Sequence, residues 1–130
     1  MEIRKSRATG RINVTSYNSQ PRDEAGAFTV SDAQVTEEFS GDLVGAGSAR
    51  FVTAIEAGGG ATHFAGVEHF LGQLGDRSGS FLMKNSGAVT DNVLHSTWQV
   101  IPGSGTGELA GLCGEGGCTP EGYTLDYWFE

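Results

Sequence analysis

Glu68 is the residue of this sequence with the sharpest chemical meaning. It stands in the run Phe64-Ala65-Gly66-Val67-Glu68-His69-Phe70. Read as a strand, the run puts Phe64, Gly66, Glu68 and Phe70 on one face. A carboxylate among phenylalanines is costly unless it is paired or protonated. Desolvation raises its pKa, which suits a general acid or base near neutral pH. Glu37 has the parity of Val35 and Phe39, so alternation turns it inward as well, and two interior carboxylates push one pKa higher still. Asn85, Tyr123 and Tyr127 can supply hydrogen bonds to a ligand carbonyl, a developing oxyanion or a water. Glu68, Asn85, Tyr127 and Glu37 are therefore the candidate catalytic residues. Plainer readings stand beside this one. Glu68 can be a structural carboxylate bonded to a tyrosine hydroxyl or to backbone amides. Glu37 belongs to the pair Glu37-Glu38, where one bulge would flip it to solvent. Asn85 can simply pair with Thr53.

Other chemistries find no support in the residue pattern. There is no G-x-x-x-x-G-K-[ST] and no G-x-S-x-G. Gly105-Thr106-Gly107-Glu108-Leu109-Ala110 fits G-x-G-x-x-A but lacks the following helix and βαβ unit of a dinucleotide site. Cys113 and Cys118, in Cys-Gly-Glu-Gly-Gly-Cys, are too few for a disulfide framework. With no second ligand pair they do not make a zinc site and read as reduced, inert thiols. No histidine stands next to Cys113 to generate a thiolate nucleophile. His63 and His69 fall six residues apart on the outward face, which suits a surface or a subunit contact. The expectation is no metal and no cofactor.

The elements that must position these residues are strands. The chain has 130 residues, with 16 acidic against 8 basic side chains and a formal net charge of −8. One domain over residues 1–130 follows from the length. The charge argues against nucleic acid and against anionic membrane surfaces, which need clustered Lys and Arg. With 38% hydrophobic residues, the chain is not a disordered acidic tail. Its 21 glycines exceed the usual share of ~7% without a triplet period, so they read as turns and close-packed strands. The N-terminus Met1-Glu2-Ile3-Arg4-Lys5-Ser6-Arg7 is charged, no signal-type apolar region follows, and no apolar run approaches the ~20 residues of a spanning helix. The expectation is a soluble cytoplasmic protein whose residues 1–9 form a flexible or edge segment. Asn13-Val14-Thr15 is then a chance glycosylation pattern.

Period-2 alternation punctuated by turn residues predicts strands at Gly10–Tyr17, Phe28–Ser40, Ala46–Ala57, Ala61–Leu74, Ser78–Val89, Val93–Ile101, Leu109–Gly117 and Tyr123–Phe129. Ser19–Ala25 and Pro102–Gly107 read as loops. Short turns between successive strands imply antiparallel neighbours, and eight of them can close an all-β barrel that hides both edges. An open sandwich is the alternative. Turns at Gly58-Gly59 and Asp91-Asn92, and one centred between Leu74 and Gly75, pair Thr53 with Phe64, Glu68 with Phe81 and Asn85 with Trp98. These registers agree on one apolar face. It carries Phe51, Thr53, Ile55, Phe64, Glu68, Phe70, Phe81, Met83, Asn85, Ser96, Trp98 and Val100. Alternation adds Ile12, Val14, Val35, Phe39, Leu112, Tyr123, Leu125, Tyr127 and Phe129. The opposite face carries Arg50, Glu56, His63, His69, Lys84, His95 and Gln99. If the interior holds a cavity, the substrate-binding candidates are Phe39, Phe51, Thr53, Phe64, Phe70, Phe81, Met83, Trp98, Val100, Leu112 and Tyr123. If it does not, they are core.

The stretch Phe64–Phe81, with Phe39-Ser40-Gly41-Asp42-Leu43, the run Pro102–Leu112 and the ending Tyr123-Thr124-Leu125-Asp126-Tyr127, resembles the bacterial DUF3224 family from about Gly10 onward. The resemblance implies an eight-stranded antiparallel barrel of the allene oxide cyclase-like and dirigent-like type, which often forms homo-oligomers. Such barrels bind an apolar, reactive intermediate and steer its cyclisation or coupling. Their catalytic residues do not align with motifs in this chain and none is carried over. Where the family pattern has Arg, a basic residue and His, this chain has Cys113, Glu37 and Asn85; if Glu37 and Asn85 line the cavity, its pocket has lost bases and gained an acid.

Two functions follow. One is a cofactor-independent cyclase or isomerase acting on a small apolar, polyketide- or fatty-acid-like intermediate folded inside the barrel. The other is a non-catalytic binding protein for a small hydrophobic ligand. A barrel filled with its own side chains is the plain alternative to both.

Overall fold

The computed structural model describes residues 4–130. Nine strands account for most of them: β1 Ser6–Ala25, β2 Phe28–Gly41, β3 Leu43–Glu56, β4 Thr62–Leu74, β5 Arg77–Thr90, β6 Val93–Val100, β7 Thr106–Gly107, β8 Leu112–Thr119 and β9 Gly122–Phe129. No helix occurs among the described residues, so none is long and apolar enough to cross a membrane. All pairings are antiparallel, in the order β4-β3-β2-β1-β9-β8-β6-β5-β7. β4 also pairs with β5, so the sheet returns on itself as a ring. The two-residue β7 sits beside Gly79 and Ser80 of β5.

Turn chemistry sets the registers. Asp91 and Asn92 take φ of 54° and 63°, the left-handed pair that a two-residue hairpin requires and that these side chains tolerate. Asn85 therefore faces Trp98, and Met83 faces Val100. Thr53 faces Phe64 and Ala49 faces Glu68, as expected. The β4–β5 register differs from expectation by two residues. The turn is Gly75-Asp76, with Leu74 opposite Arg77, because Gly75 adopts φ 61°. Glu68 thus faces Met83 rather than Phe81, and Gly66 faces Asn85. A shift of two preserves parity, so the inward set is unchanged.

Three expectations are corrected. Ser19–Ala25 is strand, not loop: β1 runs 20 residues and pairs with β2 to its end. Beyond Gly10, β1 has lost β9 as a neighbour and is an edge there, which is where Pro21 is tolerated. The penultimate long strand is Leu112–Thr119, and Leu109 instead lies in the preceding turn, fully buried. Part of the expected Pro102–Gly107 loop forms β7. Of the expected N-terminal segment, residues 1–3 lie outside the described residues, and Ser6–Thr9 belong to β1 and pair with β9.

The ring is packed solid in one half. Phe39, Leu43, Phe70, Phe81, Met83, Val100, Leu112, Tyr123 and Leu125 form one buried cluster there. Phe70 meets Phe39 edge-on at 5.1 Å, and Trp98 stacks on Tyr123 at 5.6 Å. The Tyr123 hydroxyl accepts from the Leu43 amide at 2.9 Å and donates to the Ser40 carbonyl at 2.8 Å, tying β9 to the β2–β3 turn. Outward-facing Arg50, His63, His69, Lys84, His95 and Gln99 are exposed, as alternation requires.

Candidate functional site

The other half of the ring is open because its strands differ in length. β1 has 20 residues, whereas β8 and β9 have 8 each. β1 pairs with β9 only over Ser6–Gly10, and β6 pairs with β8 only over Ser96–Gln99. Past those positions only the β8–β9 turn lies between β1 and β6. A cavity of about 430 Å³ occupies this part of the interior.

Its walls come from every side of the ring. Ile12, Val14 and Tyr17 of β1, Val35 and Glu37 of β2, Phe51 and Thr53 of β3, and Phe64 of β4 line it. So do Asn85 and Val89 of β5, Leu94, Ser96 and Trp98 of β6, and Cys118 with Thr119 and Pro120. Phe51 and Phe64 pack edge to face at 5.1 Å. Val14 and Tyr17 are 54% and 59% exposed, which places them on the rim.

Six of the expected site residues line the cavity: Glu37, Phe51, Thr53, Phe64, Asn85 and Trp98. Phe39, Phe70, Phe81, Met83, Val100, Leu112 and Tyr123 do not. They point inward, but at the packed end, where they contact one another. Tyr127 is also displaced from the site. It packs at right angles to Phe129, beside the core cluster, and touches no carboxyl of the interior. Arg11, Tyr17, Val89, Leu94 and Cys118 join the site without having been expected there. Cys118 was legible, since it has the inward parity of Leu112. Tyr17 was not: a bulge between Val14 and Ser16 switches the parity of β1, and nothing in the sequence marks it.

Glu37 and Glu68 meet at the cavity floor. Glu37 sits on β2 and Glu68 on β4, two strands away, and Gly47 of β3 lies between Glu37 and Phe70. Gly47 makes the meeting possible, because a methyl group there would overlap Glu68 Oε2 and the ring of Phe39. Glu68 is fully buried and is absent from the cavity wall, so it backs Glu37 from behind. Its Oε1 accepts from Asn85 Nδ2 at 3.0 Å, while Oε2 has no hydrogen-bond donor. Burial, then the hydrogen bond and repulsion from Glu37, push the Glu68 carboxyl from 4.5 up to about 9, and the Asn85 amide offsets only part of this. At neutral pH Glu68 is protonated and can donate Oε2–H to Glu37. Glu68 is thus the protonated carboxyl behind Glu37. Sequence reasoning assigned the accessible role to Glu68; the structure gives it to Glu37.

Both thiols are pushed up by burial. Burial and the charges of Glu37 and Glu68 push Cys118 up to about 11, so it stays protonated. Cys113 and Cys118 are free, buried, and of opposite parity on one strand. Among the described residues no three His, Cys, Asp or Glu side chains gather as a metal site.

The family model described as "Protein of unknown function (DUF3224)" matches residues 8–130. No curated protein matches the chain. A crystal structure of a DUF3224 protein of unknown function from Shewanella oneidensis MR-1 superposes with a TM-score of 0.80 at 25% identity. The match covers 98% of this chain and 99% of that one. This chain, with its ring of antiparallel strands and an acidic floor, belongs to the DUF3224 family.

Proposed function

We propose that the ring works as an eight-stranded barrel of the allene oxide cyclase-like type, with β7 as a small addition. Its open half takes up a small apolar molecule and isomerises or cyclises it without a cofactor. The observation that carries this reading is a cavity with largely apolar walls whose floor is an acid–carboxylate pair. The walls would fold a flexible substrate and exclude water. Glu37, the member that reaches the cavity, would take a proton from the substrate and return it elsewhere, so that product and substrate are isomers. Glu68 would act through Glu37, donating a hydrogen bond that holds the carboxylate in place. Non-catalytic binding of the same ligand is the second reading, favoured by the absence of Tyr127 from the site. The proposal includes cytoplasmic residence and assembly with further copies. Exposed Val44, Val52, Val67 and Leu71 on the outer face of β3 and β4 support self-association.

Native mass spectrometry with organic extraction tests the reading. A small apolar molecule should leave with the protein and be excluded by Phe64→Trp, which fills the cavity. A protein that binds nothing across a broad apolar library would overturn both the catalytic and the binding reading. Once a ligand is identified, Glu37→Gln is expected to lower kcat by roughly 10²–10⁴, the usual weight of a general base. Recovery of the ligand unchanged from the wild-type protein would favour binding alone.

A further inference from the structure

The carboxyl pair at the floor has no counter-ion. The register gives Glu37 only Val14 on the β1 side and Gly47 on the β3 side. Ile12, Asn85, Trp98 and the protonated Cys118 share the cavity with it, and Glu68 stands behind. Arg11 is the one cationic side chain of the lining, and it makes no ion pair with either glutamate. Ion pairs among the described residues are Arg7–Asp126 and Arg22–Asp32, both on the surface. Glu68, protonated behind Glu37, brings no positive charge to the site. A carboxyl pair held in an apolar chamber without a cation is expensive. Aromatic faces line the same chamber: Phe51, Phe64 and Trp98, with Tyr17 on the rim. Carboxylate plus aromatic faces is the combination that recognises an organic cation. The net charge of −8 raises the concentration of cations near the protein.

We propose that the cavity selects an apolar amine, whose ammonium group meets Glu37 at the floor and whose hydrocarbon body lies against Phe51, Phe64 and Trp98. This rests on the ligand-binding part of the function proposed above, not on turnover. The ligand would supply the charge that the fold withholds.

Calorimetric titration of the whole protein at neutral pH with 6-phenylhexylamine and with 6-phenylhexan-1-ol tests it. The two probes share a body and differ at the head group. The amine should bind at least about tenfold tighter, the weight of one hydrogen bond to a charged group. In Glu37→Gln, with the fold checked by circular dichroism, the preference should fall to about one. Equal affinities in the wild-type protein would overturn the assignment while leaving a working apolar cavity. An amine preference that survives Glu37→Gln would also overturn it, since the cation would then be held by surface acids. Failure of both probes to bind would count against the cavity as a ligand site altogether, and this inference would fall with it.

Discussion

Glu68→Gln is expected to flatten the pH dependence of folding stability. The folded-state pKa of Glu68 is raised from 4.5 to about 9 by burial and by Glu37. Between those values the folded protein keeps a proton that the unfolded chain releases. Stability from this group is therefore fully present below pH 4.5 and falls as pH rises, until it is lost above about 9. The slope of one such proton is about tenfold in the folding equilibrium per pH unit. Glutamine keeps the shape, lets Asn85 Nδ2 retain an acceptor and offers Glu37 an N–H. It has no proton to lose. The variant should overtake the wild type on the alkaline side, in urea denaturation at several pH values. Parallel curves for the two proteins would mean that Glu68 is not held protonated in the folded state.

Trp98→Ala is expected to cost about 3–5 kcal/mol, the range for a large aromatic removed from a core. Trp98 is 1% exposed and forms the partition between the packed half and the cavity. One side of its ring system meets Tyr123 at 5.6 Å and Phe39 at 6.0 Å. Its Nε1 has no hydrogen-bond partner, so its contribution is packing. Alanine would join the cavity to the core and leave Tyr123 and Phe39 facing a void. Against a typical total of about 5–15 kcal/mol this is a large share. Trp98→Phe, which retains an aromatic partition, should lose much less. A shift in the urea midpoint of Trp98→Ala worth under about 1 kcal/mol would show that the partition is not tightly packed.

Along β3 to β6 sequence alternation settled which residues point inward, and it did so even where the register was off by two. Phe81, Met83, Trp98 and Val100 are all interior because parity survives such a shift. Alternation does not report depth along the ring. Phe70 and Phe64 share one face of β4, yet Phe70 is buried in the core and Phe64 lines the cavity. That division arises from unequal strand lengths, because β8 and β9 stop short and leave one end unwalled. The extra length of β1 lay in Ser19–Ala25, whose Pro21 and charged neighbours carry turn signals. Pairing with β2 overrides them along an edge where proline costs little. The Glu37–Glu68 contact was half legible. Parity brought both inward, but only the structure shows Gly47 clearing the path between strands that are not neighbours. Tyr127 shows the opposite limit: inward parity with Tyr123 and Leu125, but at the wrong end for the carboxyls.

The central claim is that buried Glu68 stays protonated behind Glu37, beneath an apolar cavity. Carbon-13 NMR of the glutamate side-chain carboxyls, followed across pH, tests it most directly. The account predicts one glutamate still protonated at neutral pH, titrating near the value of about 9 and missing from Glu68→Gln. Glutamate carboxyls that all titrate in the ordinary acidic range would contradict it.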